Sequence, residues 1–320
     1  MKKRTKVLLL TGLGLLLAAL PVFITNAYAI IVINQTLISI IVLMGLNFIT
    51  GLMGQMNLGT AGIMAMGAYT SALLTTKLSM SPWVALISAV LMGCILGIGL
   101  GYPSLRIKGI YLALTTLGFS EIIRLVINNL VDITGGPTGV RNIPCFKLFS
   151  YEIKGAVPYY YLLLIFVVVM IVIALRIIHS KWGRAIKAIK DNEVAVEACG
   201  IKLSTIKIFA FTLCCVYGCI GGALYGHLIG YISPTDFSVD TTIRYLMMLM
   251  IGGIGSIPGN VIGAVVVNVL PEALRFLGNY YWLIFSILIL VSSVLLPNGL
   301  VSVIKMIYSK VSRFAVKGEK

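Results

Sequence analysis

Long apolar stretches without charge dominate the pattern of hydrophobic and polar positions along the chain. Residues 7–76 contain no Asp, Glu, Lys or Arg. Further charge-free stretches are 78–105, 155–175, 208–235, 245–271 and 276–304. A helix needs about 20 apolar residues to cross the hydrocarbon core of a bilayer. Barrel strands alternate between apolar and polar residues, whereas these stretches are continuously apolar. The pattern therefore predicts an all-α, polytopic integral membrane protein.

Turn residues and charges divide these stretches into about ten predicted transmembrane helices, with eight as a lower bound. The predicted spans are 7–28, 30–50, 58–76, 82–101, 109–130, 159–178, 205–231, 240–251, 259–276 and 281–297. The eighth, 240–251, is too short for a straight crossing, so we expect a broken or re-entrant helix there. Residues 1–320 are predicted to form a single membrane domain.

The first predicted span leaves two interpretations. A basic start precedes the apolar residues 7–24, and Ala27-Tyr28-Ala29 resembles a cleavage site. These features are typical of a signal peptide. We favour an uncleaved first span, because further spans follow at once.

Composition and charge narrow the class of protein. Charged residues make up 11% of the chain, against about 25% in soluble proteins. The net charge of +15 does not indicate a nucleic-acid partner, because the basic residues are scattered between spans and do not form one face. Lys and Arg collect in cytoplasmic loops. With ten spans, 18 of the 25 basic residues lie on the side of the termini and six on the other, with Arg124 inside a span.

This distribution predicts the orientation of the chain. Both termini are expected in the cytoplasm, together with the loop at about 180–204. The loop at about 131–158 is then extracytoplasmic. We expect this positive charge to report orientation and contact with membrane lipid.

An enzyme site is hard to assemble from this sequence. No Gly-Lys dipeptide occurs, so the phosphate loop of P-loop ATPases is missing. His179 and His227 have no Cys, Asp or Glu nearby at metal-ligand spacing, and the six cysteines are best read as small packing residues. We therefore expect no catalytic residues, no metal site and no cofactor in this chain. Transport driven by ATP would need a separate motor subunit.

Two Gly-rich stretches interrupt the apolar sequence. Gln55, Asn57 and Gly59 belong to the first, at 51–67; the second, at 252–263, contains the glycines Gly252, Gly253 and Gly255. These glycines either pack helices closely or let the backbone line a passage. Polar side chains at membrane depth need hydrogen-bond partners, which favours a role in the passage for the first stretch. The two stretches are also candidates for related parts of an internal repeat.

Two charged residues share one predicted span. Glu121 and Arg124 are three residues apart, so they face the same side of a helix. Charges at membrane depth are costly and are usually paired or functional. Both interpretations stay open here: a structural pair near the outer interface, or a role in the translocation path.

The cytoplasmic segment 180–204 is the most informative polar part of the chain. A basic stretch at 181–190 precedes Asp191, which can cap a short helix. Gly200 can end that helix. The helix either lies on anionic lipid or inserts as a knob into a partner protein. The turn sequence at 134–139 is either an ordinary loop or a docking surface for an external partner.

Several segments in order resemble LivM-type permease subunits of branched-chain amino acid ABC importers. The first is RIKGIYLALTTLGFSEIIR at 106–124. The others are GQMNLG at 54–59 followed by GAY at 67–69, TGGPTG at 134–139, RAIKAIKDNEVAVEACGI at 184–201, and GGIGS at 252–256. Each motif is weak alone, but their order and spacing are specific. Asn57 stands where many relatives have Ser.

The resemblance implies a permease subunit that forms the path for branched-chain or related amino acids in a bacterial plasma (inner) membrane. Its expected partners are a homologous LivH-type permease, two ABC ATPase subunits that hold ATP and Mg, and an extracytoplasmic substrate-binding protein. Other amino acids, urea and short amides are alternative substrates. The alternative function is a self-sufficient channel or secondary transporter for a small polar solute.

Three groups of site residues are predicted, the first from the resemblance and the other two mainly from the Gly-rich, polar and charged residues described above. Contact with the ATPase, through a loop related to the EAA motif of ABC permeases, is assigned to Asp191, Asn192, Glu193, Glu197, Ala198 and Gly200. The translocation path is assigned to Gln55, Asn57, Gly59, Thr115, Glu121, Arg124, Gly252, Gly253 and Gly255. Docking of the binding protein is assigned to Gly135, Gly136 and Gly139.

Overall fold

The fold is described by a computed structural model that covers residues 20–21, 26–107, 109–148, 151–274, 286–287 and 299–302. The helices are α1 (Ala27–Leu46), α2 (Thr60–Thr76), α3 (Pro82–Gly101), α4 (Ile110–Asn129), α5 (Val131–Thr134), α6 (Ala156–His179), α7 (Lys181–Asp191), α8 (Glu193–Ala198), α9 (Leu203–Ile229), α10 (Val239–Gly252) and α11 (Ile257–Ala273). The two-residue strands are β1 (Val140–Arg141), β2 (Lys147–Leu148), β3 (Tyr151–Glu152) and β4 (Tyr231–Ile232).

Five of the described helices are long and apolar enough to cross a membrane. They are α1 with its continuation to Met53, α3 with its continuation to Leu105, α4, α6 and α9. Helices α2, α10 and α11 are shorter, with 17, 14 and 17 residues. The all-α membrane fold is thus confirmed, and the short eighth span corresponds to α10. The predicted spans 7–28 and 281–297 lie almost entirely outside the described residues.

Helix α3 shows how the apolar sequence is divided between lipid and protein. Its first turn is fixed by Pro82 and by the Ser81 hydroxyl, which accepts from the Val84 amide at 3.4 Å. One face carries exposed apolar residues at a spacing of three or four. They are Val84, Ile87, Leu91, Ile95 and Ile98. Because this stripe is continuous and wholly apolar, we interpret it as a lipid-facing surface.

The opposite face of α3 packs against α9, the central helix of the bundle. Gly93, Gly97 and Gly101 lie at four-residue spacing, and a Cβ at any of them would crowd the backbone of α9. On another side of α9, a Cβ at Gly67 of α2 would overlap the backbone at Cys219. Small residues let membrane helices approach closely. This close packing helps to drive helix association, because the surrounding lipid is itself apolar and gives no hydrophobic driving force. Many glycines of this sequence therefore serve helix packing.

One end of the bundle, here called the strand end, comprises residues 77–81, 131–148 and 230–238. Strands β1 and β4 pair antiparallel there, and Lys77 Nζ donates to the Asp132 carbonyl at 2.6 Å. Buried His227 contacts the Ser71 hydroxyl at 2.8 Å and the Pro144 carbonyl at 2.7 Å. Both ring nitrogens thus have protein partners, which favours a structural role for His227.

A small hairpin of β2 and β3 lies beside the strand end. Lys147 Nζ lies 2.7 Å from Glu152 Oε1, and Lys154 pairs with the other carboxylate oxygen. Hydrogen bonds from Lys147 and Lys154 lower the pKa of Glu152 to about 2. The carboxylate therefore stays ionised at any pH above that value, and the pair is lost only as the pH falls through it.

The opposite end, here called the α7 end, comprises residues 51–59, 180–202 and 253–256. Helices α7 and α8 lie here, and α7 contacts the continuation of α1. Both Gly-rich stretches and the proposed ATPase-contact residues belong to this end. The proposed docking glycines belong to the strand end. The fold therefore separates these two groups of candidate residues by the length of the membrane helices.

Candidate functional site

The segment between α6 and α9 folds as two helices, where the sequence predicted one helix capped by Asp191. Asp191 is instead the last residue of α7. Asn192 has an extended backbone and caps α8, because its Oδ1 accepts from the amides of Val194 and Ala195 at 3.0 and 3.1 Å. The capping prediction was therefore wrong by one residue. The basic stretch forms α7, which buries Gly183, Ala185, Ile186 and Ile189 and exposes its charged residues.

Helix α8 presents most of its surface outward. Asp191, Asn192, Glu197, Ala198 and Gly200 are exposed, and Glu193 is half-buried. Val194 is 76% exposed, whereas Val196 is buried against the protein. Gly200 has a φ of +78°, a backbone conformation that glycine adopts without strain. It lies two residues beyond the end of α8, in agreement with its predicted role as a helix terminator. Ala195 and Ala198 are exposed as well, so Val194 belongs to a small apolar part of the surface of α8.

A buried ion pair holds α8 against the central helix. Lys207 Nζ lies 2.9 Å from Glu193 Oε1, and the Lys207 side chain is only 2% exposed. A buried ammonium group is tolerated only when it is paired. Sequence reasoning missed this role, because it counted Lys207 simply as one more basic loop residue. The available signal was its position, directly before the charge-free stretch 208–235.

Helix α7 also contacts the broken end of α1. Lys190 Nζ donates to the Gly51 carbonyl at 3.3 Å, and its aliphatic stem lies against Gly54. Residues Asn47–Met53 form a π-helix that ends at Gly54, where φ is +74°. Short π-helical segments are uncommon and are frequent at functional sites. The contact joins the exposed α7–α8 unit to the irregular backbone at the end of a membrane span.

The two Gly-rich stretches meet at this irregular backbone. Asn47 Oδ1 accepts from the Gly255 amide at 2.9 Å. A Cβ at Gly51 would collide with Gly255, so the two backbones approach closely. Gly252 packs against the backbone at Gly259, which favours a packing role for that residue. Gly253 has a φ of +119° and forms the end of α10.

Gln55 and Asn57, which the sequence placed together in the translocation path, have different surroundings. Asn57 is fully buried and satisfied, because its Oδ1 accepts from the Gly59 amide at 2.8 Å and its Nδ2 lies 3.6 Å from Cys214 Sγ. It therefore supports a local turn. Gln55 is 7% exposed, and its Oε1 has no hydrogen-bond partner among the described residues. An unpartnered buried oxygen is unusual and makes Gln55 the stronger path candidate.

Thr115 lies on the outer face of α4, away from this junction. Its side chain is exposed and bonds to its own helix at the Tyr111 carbonyl, 2.8 Å away. The neighbouring Thr116 is buried and accepts from the Leu58 amide at 2.9 Å. Gly59 packs against the Thr116 backbone. Thr116, rather than Thr115, therefore connects α4 to the turn that starts α2.

Glu121 and Arg124 form the expected pair on α4. Arg124 Nε donates to Glu121 Oε2 at 2.9 Å, and Nη2 lies equally close to the same oxygen. Both side chains are about 30% exposed. Their charges thus neutralise one another on a partly exposed helix face, and whether that face lines the path stays a prediction.

The three proposed docking glycines shape a turn and do not form its surface. Gly136 is buried, and Gly139 lies against the Ile232 backbone with no room for a side chain. Gly135 also has a positive φ. The exposed residues of this turn are Pro137 and Thr138. If a partner docks here, it contacts those two side chains rather than the glycines themselves.

Comparison with known proteins identifies the relatives of this chain. The family described as "Branched-chain amino acid transport system / permease component" matches residues 28–294. The high-affinity branched-chain amino acid transport system permease protein LivM of Escherichia coli (strain K12) is 32% identical over 98% of this chain and 79% of its own length. LivM of Salmonella typhimurium is 31% identical over 92% and 74%. A probable LivM of Methanocaldococcus jannaschii is 26% identical over 73% and 74%.

No solved structure matches the chain. The family match covers most of the sequence, including the α7–α8 unit and both Gly-rich stretches. The chain thus belongs to the family of permease components of branched-chain amino acid transport systems.

Proposed function

We propose that this chain is the translocation subunit of an ATP-driven importer for branched-chain amino acids. One observation carries the proposal beyond family membership. An exposed helix unit at one end of the bundle is joined through Lys190 to the broken end of a membrane span. A subunit that only packs in the membrane needs no such unit, whereas a subunit that responds to an external motor does.

The proposed orientation places the α7 end in the cytoplasm, where ATP is available. There α8 would insert into a groove of an ABC ATPase subunit, with Val194 as its apolar contact. The strand end would face outward and receive a substrate-binding protein. A second, LivH-type permease would complete the membrane part. ATP and Mg would be held by the two ATPase subunits.

The geometry supports a direct route for coupling. The Glu193–Lys207 pair joins α8 to the central helix, and α7 directly precedes α8 in the chain. Movement of the ATPase surface would therefore move α8 and α7 together. Lys190 would transmit this movement to the Gly51 carbonyl. The π-helix and the turn at 54–59 would then change the surroundings of Gln55. Irregular backbone at membrane depth is found where it is buried in protein or lines a water-filled passage.

Transport by the complete complex tests this function against a self-sufficient channel. Proteoliposomes containing this chain with its second permease and ATPase subunits should take up labelled L-leucine only with ATP inside and a leucine-binding protein outside. The chain alone should take up none. Uptake of leucine by the chain alone, without ATP, would favour the channel interpretation and contradict the proposal.

A further inference from the structure

A cavity of about 140 Å³ lies toward the strand end, between α1, α9, α10 and α11. It contains one acidic and one basic side chain, Asp236 and Arg244. None of the residues that the sequence singled out lines it. The cavity is open, since Arg244 is exposed and Asp236 is partly exposed. Charged side chains in a membrane protein are costly, and they usually mark a site or a path.

The basic group of the cavity is held in place by a chain of hydrogen bonds. Arg244 Nη2 donates to Asn268 Oδ1 at 3.0 Å, and Asn268 Nδ2 donates to the Ser39 hydroxyl at 3.1 Å. Asn268 and Ser39 are buried, and they tie Arg244 to α11 and α1. A guanidinium group has five N–H donors, and the bond to Asn268 uses one of them. Within the described part of the chain Arg244 makes no further hydrogen bond, so its other donors can bind a carboxylate, which Arg recognises by paired hydrogen bonds.

The acidic group is equally fixed. Asp236 Oδ2 accepts from the Ser233 amide at 2.8 Å and from the Ser233 hydroxyl at 3.0 Å. These bonds orient the carboxylate at the start of the short helix Pro234–Phe237. Among the described residues, Asp236 Oδ1 has no hydrogen-bond partner. That oxygen can accept from an ammonium group.

An apolar wall completes the cavity. Ile38, Phe237 and Met248 contribute it, and the Phe237 ring is fixed between Tyr69 and Tyr225 in edge-to-face contacts at 6.2 and 6.1 Å. The cavity therefore offers a cationic group, an anionic group and an aliphatic–aromatic surface. This is the set of groups needed to bind a small molecule with a carboxylate, an ammonium group and an apolar side chain.

We infer that this cavity is a transient binding site for an apolar α-amino acid on its way through the permease. Its carboxylate binds Arg244, its ammonium group binds Asp236, and its side chain packs on Phe237 and Met248. The inference rests on the proposed function for the identity of the transported solute. Binding here must be weak, because a transport site has to release its ligand. We expect affinity in the millimolar range.

Protection of an introduced thiol tests the site without the binding protein or ATP. Gln35 lines the cavity and is partly exposed, and its side chain has no hydrogen bond within the described residues. Gln35→Cys is therefore a mild change, and it keeps the bond from the Ser39 hydroxyl to the backbone carbonyl of residue 35. The assembled complex in nanodiscs is treated with a small thiol reagent, and modification is measured at each cysteine by mass spectrometry. Millimolar L-leucine should slow modification at position 35. Modification of the partly exposed native Cys145, which does not line the cavity, should be unchanged and is the internal control.

The chemistry of the ligand and of the cavity can be varied separately. 4-Methylpentanoate lacks the ammonium group and isoamylamine lacks the carboxylate, so neither should protect. Arg244→Gln and Asp236→Asn should each raise the leucine concentration needed for protection roughly tenfold or more, because each removes a charge-assisted hydrogen bond. Arg176→Gln makes the same change at the exposed far end of α6 and should leave protection intact.

The outcomes separate this inference from the proposed function. A complex that transports leucine but shows no protection by leucine, or equal protection by all three compounds, would overturn the binding site alone. Protection that needs both charges in a complex that transports no amino acid would support the site and count against the importer. Protection unaffected by Arg244→Gln and Asp236→Asn would also overturn the assignment.

Discussion

Glu193→Gln is expected to release α8 from the bundle and to uncouple ATP hydrolysis from transport. The substitution leaves the Lys207 ammonium buried without a counter-charge. Removing one partner of a buried ion pair typically costs about 3 kcal/mol or more. The cost should be met locally, by α8 moving away so that water reaches Lys207. Faster hydrogen exchange at the amides of residues 193–200, together with less leucine transported per ATP hydrolysed, would show this.

A second substitution distinguishes loss of the ion pair from loss of a particular side chain. Glu193→Gln combined with Lys207→Met removes both charges, and replacing a buried pair by apolar groups is often neutral or stabilising. The double variant should therefore recover slow exchange in α8. Lys202→Met, at an exposed lysine of the same segment, is the matched control and should change neither measurement. Unchanged exchange in Glu193→Gln would show that the pair does not hold α8.

Glu197→Lys and Val194→Lys are expected to abolish association with the ATPase subunits and leave membrane insertion intact. Both residues lie on the exposed surface of α8, so neither change disturbs the bundle. A charge placed at the centre of a protein interface commonly costs about 2 kcal/mol or more, which weakens binding roughly thirtyfold. The measurement is the amount of ATPase that copurifies with the tagged permease from membranes.

The control for this prediction is Val131→Lys, the same chemical change at an exposed valine of the strand end. It should leave ATPase copurification at the wild-type level. The amount of each permease variant in the membrane fraction should also be equal. If ATPase subunits copurify normally with Val194→Lys and Glu197→Lys, α8 is not the contact surface.

The sequence predicted the membrane helices well, because the requirement behind them is local. Each span must bury its backbone polar groups in its own hydrogen bonds and offer apolar side chains to lipid or protein. The charge-free stretches therefore locate α1, α3, α6 and α9, and α4 matches the predicted span 109–130 although it carries Glu121 and Arg124. The short α10 was also expected, since length alone shows that residues 240–251 cannot cross the membrane straight.

Details of the candidate site depend on contacts between distant residues and could not be predicted. The π-helix at 47–53 is accompanied by the hydrogen bond from Gly255 to Asn47, residues 208 positions apart. Asp191 and Asn192 are both good capping residues, and the choice between them depends on where α7 ends. Helix α7 ends at Asp191, two residues after the buried Ile189, and Asn192 has an extended backbone. Lys207 is buried because α8 packs over it, and that packing cannot be predicted from the residues around Lys207 in the sequence.

The cavity of Asp236 and Arg244 was missed for the same reason. Its lining comes from several elements, and each contributing residue is ordinary in its own segment. In sequence, Arg244 is one of the six basic residues assigned to the outer side, and Asp236 follows a turn. Their shared cavity exists only after α10 and α11 pack on α1. Resemblance to known permeases identified the family correctly but did not point to this pair.

In the proposed function, this chain couples an external ATPase to a substrate delivered from outside. The most direct measurement is the rate of ATP hydrolysis by the complete complex in nanodiscs, with leucine-loaded or leucine-free binding protein added. The loaded protein should clearly stimulate hydrolysis, and that stimulation should be lost when the permease carries Val194→Lys. Equal hydrolysis with loaded binding protein, free binding protein and none would contradict it.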